Sequence, residues 1–304
     1  MPVRFSDLSN LTSPKAVLRL LEMLFTCAAF SLAAAGGELP PSRAFATFAM
    51  FTWGFSLVAT LLIFLVEFTQ LHSLLTLSWK NLPVTLAAFA ALMNLAASVS
   101  FPLLVLSAAG PARASSSSSA PPPDHSGFPC PYRTAATVAS CLACLAYSAE
   151  LLAARAEERS GYMASGPGLL KVLEVGLACV LSVTLATAAH PQFPGFRWCL
   201  GALCACALLS LAAIALMVGE CRDCCPLPPG RLLLASSALA SLLHLAVLPA
   251  WALGLARQAD WLAECRRLDC RRNQLLASTS LIALNLLAYL TDLACSARLN
   301  CRRS

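Results

Sequence analysis

The sequence predicts an all-α integral membrane protein in which eight transmembrane helices form two tandem four-helix units. Three observations predict this fold class: an apolar composition, eight apolar stretches of spanning length, and a repeat that relates the two halves of the chain. Hydrophobic residues make up 58% of the 304 residues and charged residues 12%, against roughly 25% charged residues in soluble proteins. Because the mean hydropathy is +0.72, most of the chain is expected to lie in lipid.

Eight stretches meet the length of about 20 apolar residues that a helix needs to cross a bilayer. Proline, glycine and charged residues separate them, as in Gly36 to Arg43 and in Cys221 to Arg231. The long third separator contains a low-complexity tract, Ser115 to Gly127, which is expected to be an exposed loop. The predicted spans are residues 17–37, 46–68, 84–107, 134–154, 168–189, 196–219, 232–255 and 274–295.

The spans predict a domain division into a cytosolic tail (1–16), a first unit (17–154) and a second unit (159–303). The tail contains Asp7 and no apolar segment, so it does not resemble a cleavable signal peptide, and the first span is expected to act as its own insertion signal. An even number of spans puts both termini on one side. More lysines and arginines lie on that side, which predicts that both termini are cytosolic. The protein is expected in the plasma membrane or in secretory-pathway membranes.

The loop between the last two spans departs from this charge bias, because its arginines lie on the predicted exoplasmic side. Cys265 and Cys270 in the same loop are a candidate disulfide pair, with Cys130 as the rival partner. A glycosylated sequon at Asn10 would reverse the whole orientation. The arginines of the loop are Arg257, Arg266, Arg267, Arg271 and Arg272.

An ungapped internal repeat relates the first and fifth spans, since Ser13 to Cys27 aligns with Ser165 to Cys179. The fourth and eighth spans share the related segments AYSAEL, at 146–151, and AYLTDL, at 288–293. Each half has four spans, so the two copies run parallel through the membrane. Inverted repeats with interrupted helices, which often mark the binding site of a secondary transporter, are not apparent in the sequence.

The repeat places a basic residue and a glutamate three positions apart near the start of each unit: Arg19 with Glu22, and Lys171 with Glu174. Positions i and i+3 share a helix face, and long basic side chains can reach the headgroups. We therefore expect interfacial charge pairs that orient and dock the helices, with a proton or ligand path and partner recognition as alternatives. The second and sixth spans also correspond, since each ends in a glutamate, Glu67 and Glu220. Four further acids are predicted at the cytosolic rim: Glu67, Glu150, Glu220 and Asp292.

The remaining polar residues of the spans predict structural roles. Asn94, His244 and Asn285 are expected to hydrogen-bond to neighbouring helices. Cysteines beside the cytosolic ends of spans are candidate S-palmitoylation sites, and the CRDCC segment at 221–225 lacks the spaced partner pair of a zinc site. The candidate palmitoylation sites are Cys221, Cys224, Cys225, Cys295 and Cys301.

Catalytic and nucleic-acid-binding functions find no support in the sequence. Neither a nucleophile elbow, a P-loop, an HExxH motif nor a dinucleotide fingerprint occurs, so we predict no enzymatic activity and no cofactor. The 21 basic residues are scattered along the chain, whereas a nucleic-acid-binding surface concentrates them in a patch or stripe.

Several motifs resemble the MARVEL family of tetraspan membrane proteins, and more closely the myeloid-associated differentiation marker family, whose members carry two MARVEL units in tandem. The resemblance covers residues 15–303 or so and implies a raft-associated, multi-pass protein without enzymatic activity that sorts or organises membrane. It implies that the partners are membrane lipids, including those of sterol-rich domains, and other membrane proteins. A transporter or channel with a pathway between the two repeats is the alternative. The motifs are FTWGFSL at 51–57, LSWKNLPVT at 77–85, GYMASGPGLLKVLE at 161–174 and LNLLAYLTDL at 284–293.

Overall fold

The structure is a computed structural model that describes residues 13–36, 43–70, 77–108, 129–156, 161–187, 195–219, 229–257 and 271–301. Within these ranges the chain forms eight long α-helices, one short 3₁₀ helix and no strand, which confirms the predicted all-α class. The helices in chain order are α1 (Pro14–Ala35), α2 (Arg43–Phe68), α3 (Leu82–Ala108), α4 (Pro129–Ala156), the 3₁₀ helix (Tyr162–Ala164), α5 (Gly166–Thr187), α6 (Phe196–Val218), α7 (Pro229–Ala256) and α8 (Arg271–Cys301).

Each α-helix contains a segment of 21 to 27 residues that is long and apolar enough to cross a membrane. This confirms the predicted multi-pass membrane protein. Several helices extend beyond the predicted spans; α8, for example, runs from Arg271 to Cys301, whereas the sequence predicts a span over 274–295. The extra turns carry polar and basic residues, which are compatible with helix ends in the headgroup region.

The start of α1 is fixed by local sequence. The Ser13 hydroxyl accepts a hydrogen bond from the backbone N–H of Ala16 at 3.2 Å, and Pro14 occupies the first helical position, where its missing N–H leaves no hydrogen bond unmade. Arg19 then lies five residues into the helix, about 8 Å along its axis from Pro14. The basic residue of the predicted pair therefore lies in the second turn of α1, and it is buried.

The helices pack in the same order in both halves of the chain. In the first half α1, α2, α3 and α4 form a closed ring of neighbours, with α4 returning to α1, and α5 to α8 repeat this arrangement. We call these four-helix bundles the first unit (α1–α4) and the second unit (α5–α8). The residue boundaries predicted for the two units, 17–154 and 159–303, stay a prediction.

The two units are joined mainly where α5 packs against α3 and α2. A buried apolar cluster fills this contact and includes Ala88, Met163, Val172 and Val218. At one end of the contact the Asn81 side chain donates to the backbone carbonyl of Met217 at 3.0 Å and accepts from the backbone N–H of Met163 at 3.2 Å. Asn81 directly precedes α3, and it thus connects the first unit to the end of α6 and to the 3₁₀ helix before α5.

Replacing Gly168 with alanine is expected to lower the free energy of unfolding by about 1–3 kcal/mol, the usual cost of overpacking. A Cβ atom at Gly168 would lie 2.5 Å from the carbonyl oxygen of Tyr162 and 2.6 Å from the Cα of Met163. Both are backbone atoms, so they cannot move aside as a side chain would. Unfolding in bicelles, followed for the full chain, measures the change.

Gly166→Ala is the matched control, because a Cβ at Gly166 meets no atom within 4 Å. It lies in the same first turn of α5, and alanine there is expected to be neutral or slightly stabilising. Two alanine variants of equal stability would contradict the tight contact between α5 and the 3₁₀ helix.

The distribution of polar residues is the reverse of that in a soluble protein. Leu145, Leu208 and Leu242 are each 65% exposed on the outer surface, whereas Glu22 and Glu174 are completely buried. In lipid an exposed leucine has no cost, and a charged side chain is expected to face the bundle interior. The ionisable residues of the helices therefore identify the parts of the interior where a functional site could lie.

Candidate functional site

The interior of the first unit holds a charged group that we call the Arg19 cluster, formed by Arg19, Glu22, Glu67 and Glu150. The Arg19 Nε donates to Oε1 of Glu150 on α4 at 2.8 Å, and its Nη1 forms an ion pair with Glu67 on α2. Arg19 is nearly completely buried. It thereby links the first helix of the unit to the second and the fourth.

Glu22 lies one turn after Arg19 and has a different environment. Among the residues described, no group donates a hydrogen bond to either of its carboxyl oxygens. Glu150, Arg19 and Thr60 are the groups that act on its charge. The predicted pairing of Arg19 with Glu22 is therefore not the one that the structure contains, because the guanidinium group points across the bundle to Glu67 and Glu150.

The second unit holds the corresponding Lys171 cluster, formed by Lys171, Glu174 and Asp292. The Lys171 Nζ lies 3.0 Å from Oε2 of Glu174 and 2.9 Å from Oδ2 of Asp292 on α8. The same ammonium group stands 5.6 Å from the centre of the Tyr289 ring, within cation–π range. Here the i, i+3 pair that the sequence predicts is present, and it is shared with the fourth helix of the unit.

A tyrosine and a hydroxyl residue accompany each cluster in equivalent positions. In the first unit the Tyr147 hydroxyl lies 2.7 Å from Oγ1 of Thr60 and donates to the Ser56 carbonyl at 3.2 Å. Tyr147 lies three residues before Glu150. Its hydrogen bonds fix the rotation of α4 against α2, and so the position of Glu150 beside Arg19.

The second unit repeats this arrangement on α8 and α6. The Tyr289 hydroxyl lies 3.0 Å from Oγ of Ser210 and donates to the Cys206 carbonyl at 3.1 Å. Ser210 also donates to Oε2 of Glu174 at 2.5 Å, and Ser237 on α7 donates to Asp292. All four helices of the second unit therefore contribute to one hydrogen-bonded network.

The tyrosine contacts correct the equivalence of α2 and α6 that the sequence suggests. Thr60 and Ser210 are equivalent by their contacts, and Glu67 lies two turns after Thr60, where the second unit has Met217. The rim glutamate of α2 thus has no acidic equivalent at that position of α6. Glu220, the acid that the sequence pairs with Glu67, lies outside the described residues.

The deeper polar residues lie in the interior, and the expected hydrogen bond to a neighbouring helix is present for Asn94. Asn94 donates from Nδ2 to the Ser56 hydroxyl at 3.1 Å. His244 is completely buried, with its ring centre 4.6 Å from that of Tyr289 and Nδ1 3.2 Å from the Ala240 carbonyl oxygen. Asn285 is also buried, one turn before Tyr289.

The predicted cysteine sites fall mostly outside the described residues. Cys295 is half-buried and Cys301 is exposed, both in the last turns of α8. The candidate palmitoylation and disulfide sites that lie outside the described residues are Cys221, Cys224, Cys225, Cys265 and Cys270.

Sequence reasoning did not single out the tyrosine and hydroxyl residues, although the signal was present. The related segments AYSAEL and AYLTDL contain Tyr147 and Tyr289 at the same position. Within the described part of the chain, no three His, Cys, Asp or Glu side chains are grouped so as to hold a metal ion. The clusters are instead suited to joining helices and to binding positive charge, because carboxylates outnumber bases in both.

Known proteins match this chain over most of its length. The MARVEL model, described as a membrane-associating domain, matches residues 10–152, which cover α1 to α3 and most of α4. The chain is 36% identical to the human myeloid-associated differentiation marker, over 95% of this chain and 89% of that protein. It is 35% identical to the Xenopus laevis homolog, over 96% and 94% of the two chains.

A second group of relatives matches at similar coverage. Human myeloid-associated differentiation marker-like protein 2 is 31% identical, over 97% of this chain and 94% of that protein. The sequence motifs point to this like-protein 2 group, and the identity is 31% there against 36% for the human myeloid-associated differentiation marker. No solved structure matches the chain.

Proposed function

Because the chain belongs to the myeloid-associated differentiation marker family, we propose that it is a non-enzymatic protein that organises or sorts membrane domains through helix packing and lipid preference. It is an integral multi-pass membrane protein with a MARVEL membrane-associating domain. The partners that we propose are membrane lipids, particularly those of sterol-rich domains, and other membrane proteins.

The length of the apolar helices is the observation that carries this proposal. The membrane-crossing segments Gly230–Ala256 and Asn273–Leu299 each have 27 residues, or about 40 Å of helix at 1.5 Å per residue. The hydrocarbon core of an average bilayer is about 30 Å thick, and that of a sterol-rich plasma membrane about 32–33 Å. A thicker membrane would therefore leave less of the helix mismatched, and small gains from several helices would add.

Aromatic residues support a membrane position in which the even-numbered helices begin at one interface. Tyr132 and Trp198 are exposed in the first turn of α4 and α6 respectively, and such residues are enriched at membrane–water interfaces. We propose that this is the exoplasmic side and that both termini are cytosolic. An unmodified Asn10 sequon in cells is expected, whereas N-glycosylation there would reverse the assignment.

The packing between the units argues against the alternative of a transport pathway at the repeat interface. The cluster of Ala88, Met163, Val172 and Val218 is apolar and buried. At Gly176 the two units approach so closely that a Cβ atom would lie 3.3 Å from Cδ1 of Leu92. A water-filled path between α3 and α5 would require this contact to open.

Partitioning of the full-length protein between ordered and disordered phases of cell-derived vesicles tests the proposal. Leu253 is exposed near the C-terminal end of α7, and Leu276 near the N-terminal end of α8. Replacing both with arginine shortens the apolar length, while replacing both with methionine preserves it. We expect the parent and the methionine variant to enrich in the ordered phase and the arginine variant to shift to the disordered phase. Equal exclusion of all three from the ordered phase would contradict the proposal.

A further inference from the structure

Both buried clusters contain more carboxylates than their single base can balance, with two in the Lys171 cluster and three in the Arg19 cluster. In the Lys171 cluster a single ammonium group faces Glu174 and Asp292, and all three side chains are nearly or completely buried. In the Arg19 cluster the guanidinium group is shared by Glu150 and the partly exposed Glu67, and Glu22 adds a further buried carboxyl. An uncompensated charge in such a place is costly.

Particular oxygens of these carboxyl groups have no partner in the described part of the chain. They are both oxygens of Glu22, Oε1 of Glu174 and Oδ1 of Asp292. The two oxygens that bond to Lys171, Oε2 of Glu174 and Oδ2 of Asp292, also accept from Ser210 and Ser237. One oxygen of each acid in the second unit is thus fully used, and the other is buried and unpartnered.

We propose that each four-helix unit holds one buried proton-binding site, on Glu22 in the first unit and on the pair of Glu174 and Asp292 in the second. The proton comes from the solvent and forms an O–H bond on a carboxylate oxygen, so no electron transfer and no leaving group are involved. Binding makes the Lys171 cluster electrically neutral, with one base and one remaining carboxylate. In the first unit it leaves Arg19 with the buried Glu150 and the partly exposed Glu67. This site is independent of the lipid preference proposed above.

The groups that face the first site come from three helices. Arg19 on α1, Thr60 on α2 and Glu150 on α4 act on the Glu22 carboxyl directly, and Tyr147 lies close enough to interact with it. Thr60 and Tyr147 also lie within hydrogen-bond distance of each other, 2.7 Å between their hydroxyl oxygens.

The second site is faced by groups from all four helices. Lys171 on α5, Ser210 on α6 and Asp292 on α8 act on Glu174. Tyr289 bonds to Ser210 and contacts the ring of His244 on α7. The Cys206 thiol is also near the Glu174 carboxyl. Lys171 remains the single cation directly bonded to the acids of this cluster among the described residues.

A proton fits these sites better than a metal cation. A metal ion needs several ligand atoms converging on one point, and the described residues contain no such group of three or more His, Cys, Asp or Glu. A proton needs one unpartnered carboxyl oxygen, which each cluster supplies. We therefore expect the sites to be insensitive to sodium or potassium ions.

The two sites differ in access to solvent. The Glu67 side chain is 38% exposed and shares Arg19 with Glu150, so protons can reach the first site along a partly exposed carboxylate. In the second unit Met217 occupies the position equivalent to Glu67, and the Lys171 cluster is covered. We expect the first site to exchange its proton with solvent faster than the second.

Infrared spectroscopy of the full-length protein in nanodiscs at neutral pH tests the proposal through the carbonyl stretch of a protonated carboxylic acid. We expect a signal from one such group per unit. Glu22→Gln should halve it, and either Glu174→Gln or Asp292→Asn should remove the other half, because each leaves one base facing one acid. The double variant Glu22→Gln with Glu174→Gln should lose the signal completely.

Glu157→Gln is the control, because it removes a carboxylate that belongs to neither cluster and should leave both signals. In heavy water the Glu22 signal should shift before that of the second unit. Absence of the signal in the parent at neutral pH, its persistence in the double variant, or its loss on adding sodium or potassium chloride would each overturn the proposal. The parent spectrum alone decides the first of these outcomes, so the test does not depend on variants that fold.

Discussion

Replacing Lys171 with methionine is expected to lower the free energy of unfolding by about 3–5 kcal/mol, the usual cost of leaving a buried charge without its partner. Lys171 Nζ lies 3.0 Å from Glu174 and 2.9 Å from Asp292, and both acids are completely buried. Methionine retains most of the apolar stem but removes the ammonium group. Reversible unfolding of the full chain in bicelles measures the loss.

A triple variant separates this electrostatic effect from a loss of packing. Adding Glu174→Gln and Asp292→Asn to Lys171→Met removes the unpaired acids while keeping side chains of similar shape, so most of the lost stability should return. If Lys171→Met alone is as stable as the parent, the Lys171 cluster does not hold α5 to α8 in the way described.

Replacing Trp53 with alanine is expected to cost about 3–5 kcal/mol of stability, as is usual for deleting a large buried aromatic side chain. Trp53 is completely buried and donates from Nε1 to the Ser140 hydroxyl on α4 at 2.9 Å. Its ring also meets that of Phe101 edge to face at 5.4 Å. The substitution would leave a cavity between α2 and α4 and remove one of the two hydrogen bonds that the Ser140 hydroxyl accepts, the other coming from Ser98.

Phe51→Ala is the matched control for Trp53→Ala. Phe51 lies half a turn earlier on α2 and is 59% exposed, so lipid chains can fill the space that its ring leaves. We expect its effect on the free energy of unfolding to be below about 1 kcal/mol. Similar losses for the two variants would mean that α2 is rotated away from the orientation in the structure.

The eight helices could be predicted from the sequence because their signal is strong and local. A stretch of about 20 apolar residues in a chain of this composition can bury its backbone in lipid only as a helix. The charge pair of the second unit could be predicted for a similar reason. Lys171 and Glu174 lie on one face of one helix, so their contact needs no knowledge of any other helix.

The partners of Arg19 could not be predicted in this way. Its guanidinium group bonds to residues on α2 and α4, and which acids it reaches depends on how those helices are rotated and shifted. The repeat suggested that Arg19 would behave as Lys171 does. Arginine differs from lysine in its longer, forked donor group, whose Nε and Nη1 atoms reach acids on two other helices, and Glu67 has no acidic equivalent at the matching position of α6.

The role of the tyrosines depended on the same missing information. Tyr147 and Tyr289 stand in related segments of α4 and α8, but their hydrogen-bond partners lie on α2 and α6. Without the relative position of those helices, a tyrosine that bonds to another helix cannot be distinguished from one that lies at the membrane–water interface. In the structure the repeat therefore includes the hydrogen-bonded tyrosines as well as the charged residues.

We expect a buried base on the first helix of each unit and an acid on the fourth to hold the unit together. A double-mutant cycle between Arg19 and Glu150 tests this expectation most directly, in the first unit. The Arg19 Nε and Glu150 Oε1 atoms are 2.8 Å apart. Unfolding free energies of the parent, Arg19→Met, Glu150→Gln and the double variant give the coupling between the two side chains. We predict a favourable coupling of about 2–3 kcal/mol, near the upper end for residues in contact. A coupling indistinguishable from zero, with all four proteins folded, would contradict it.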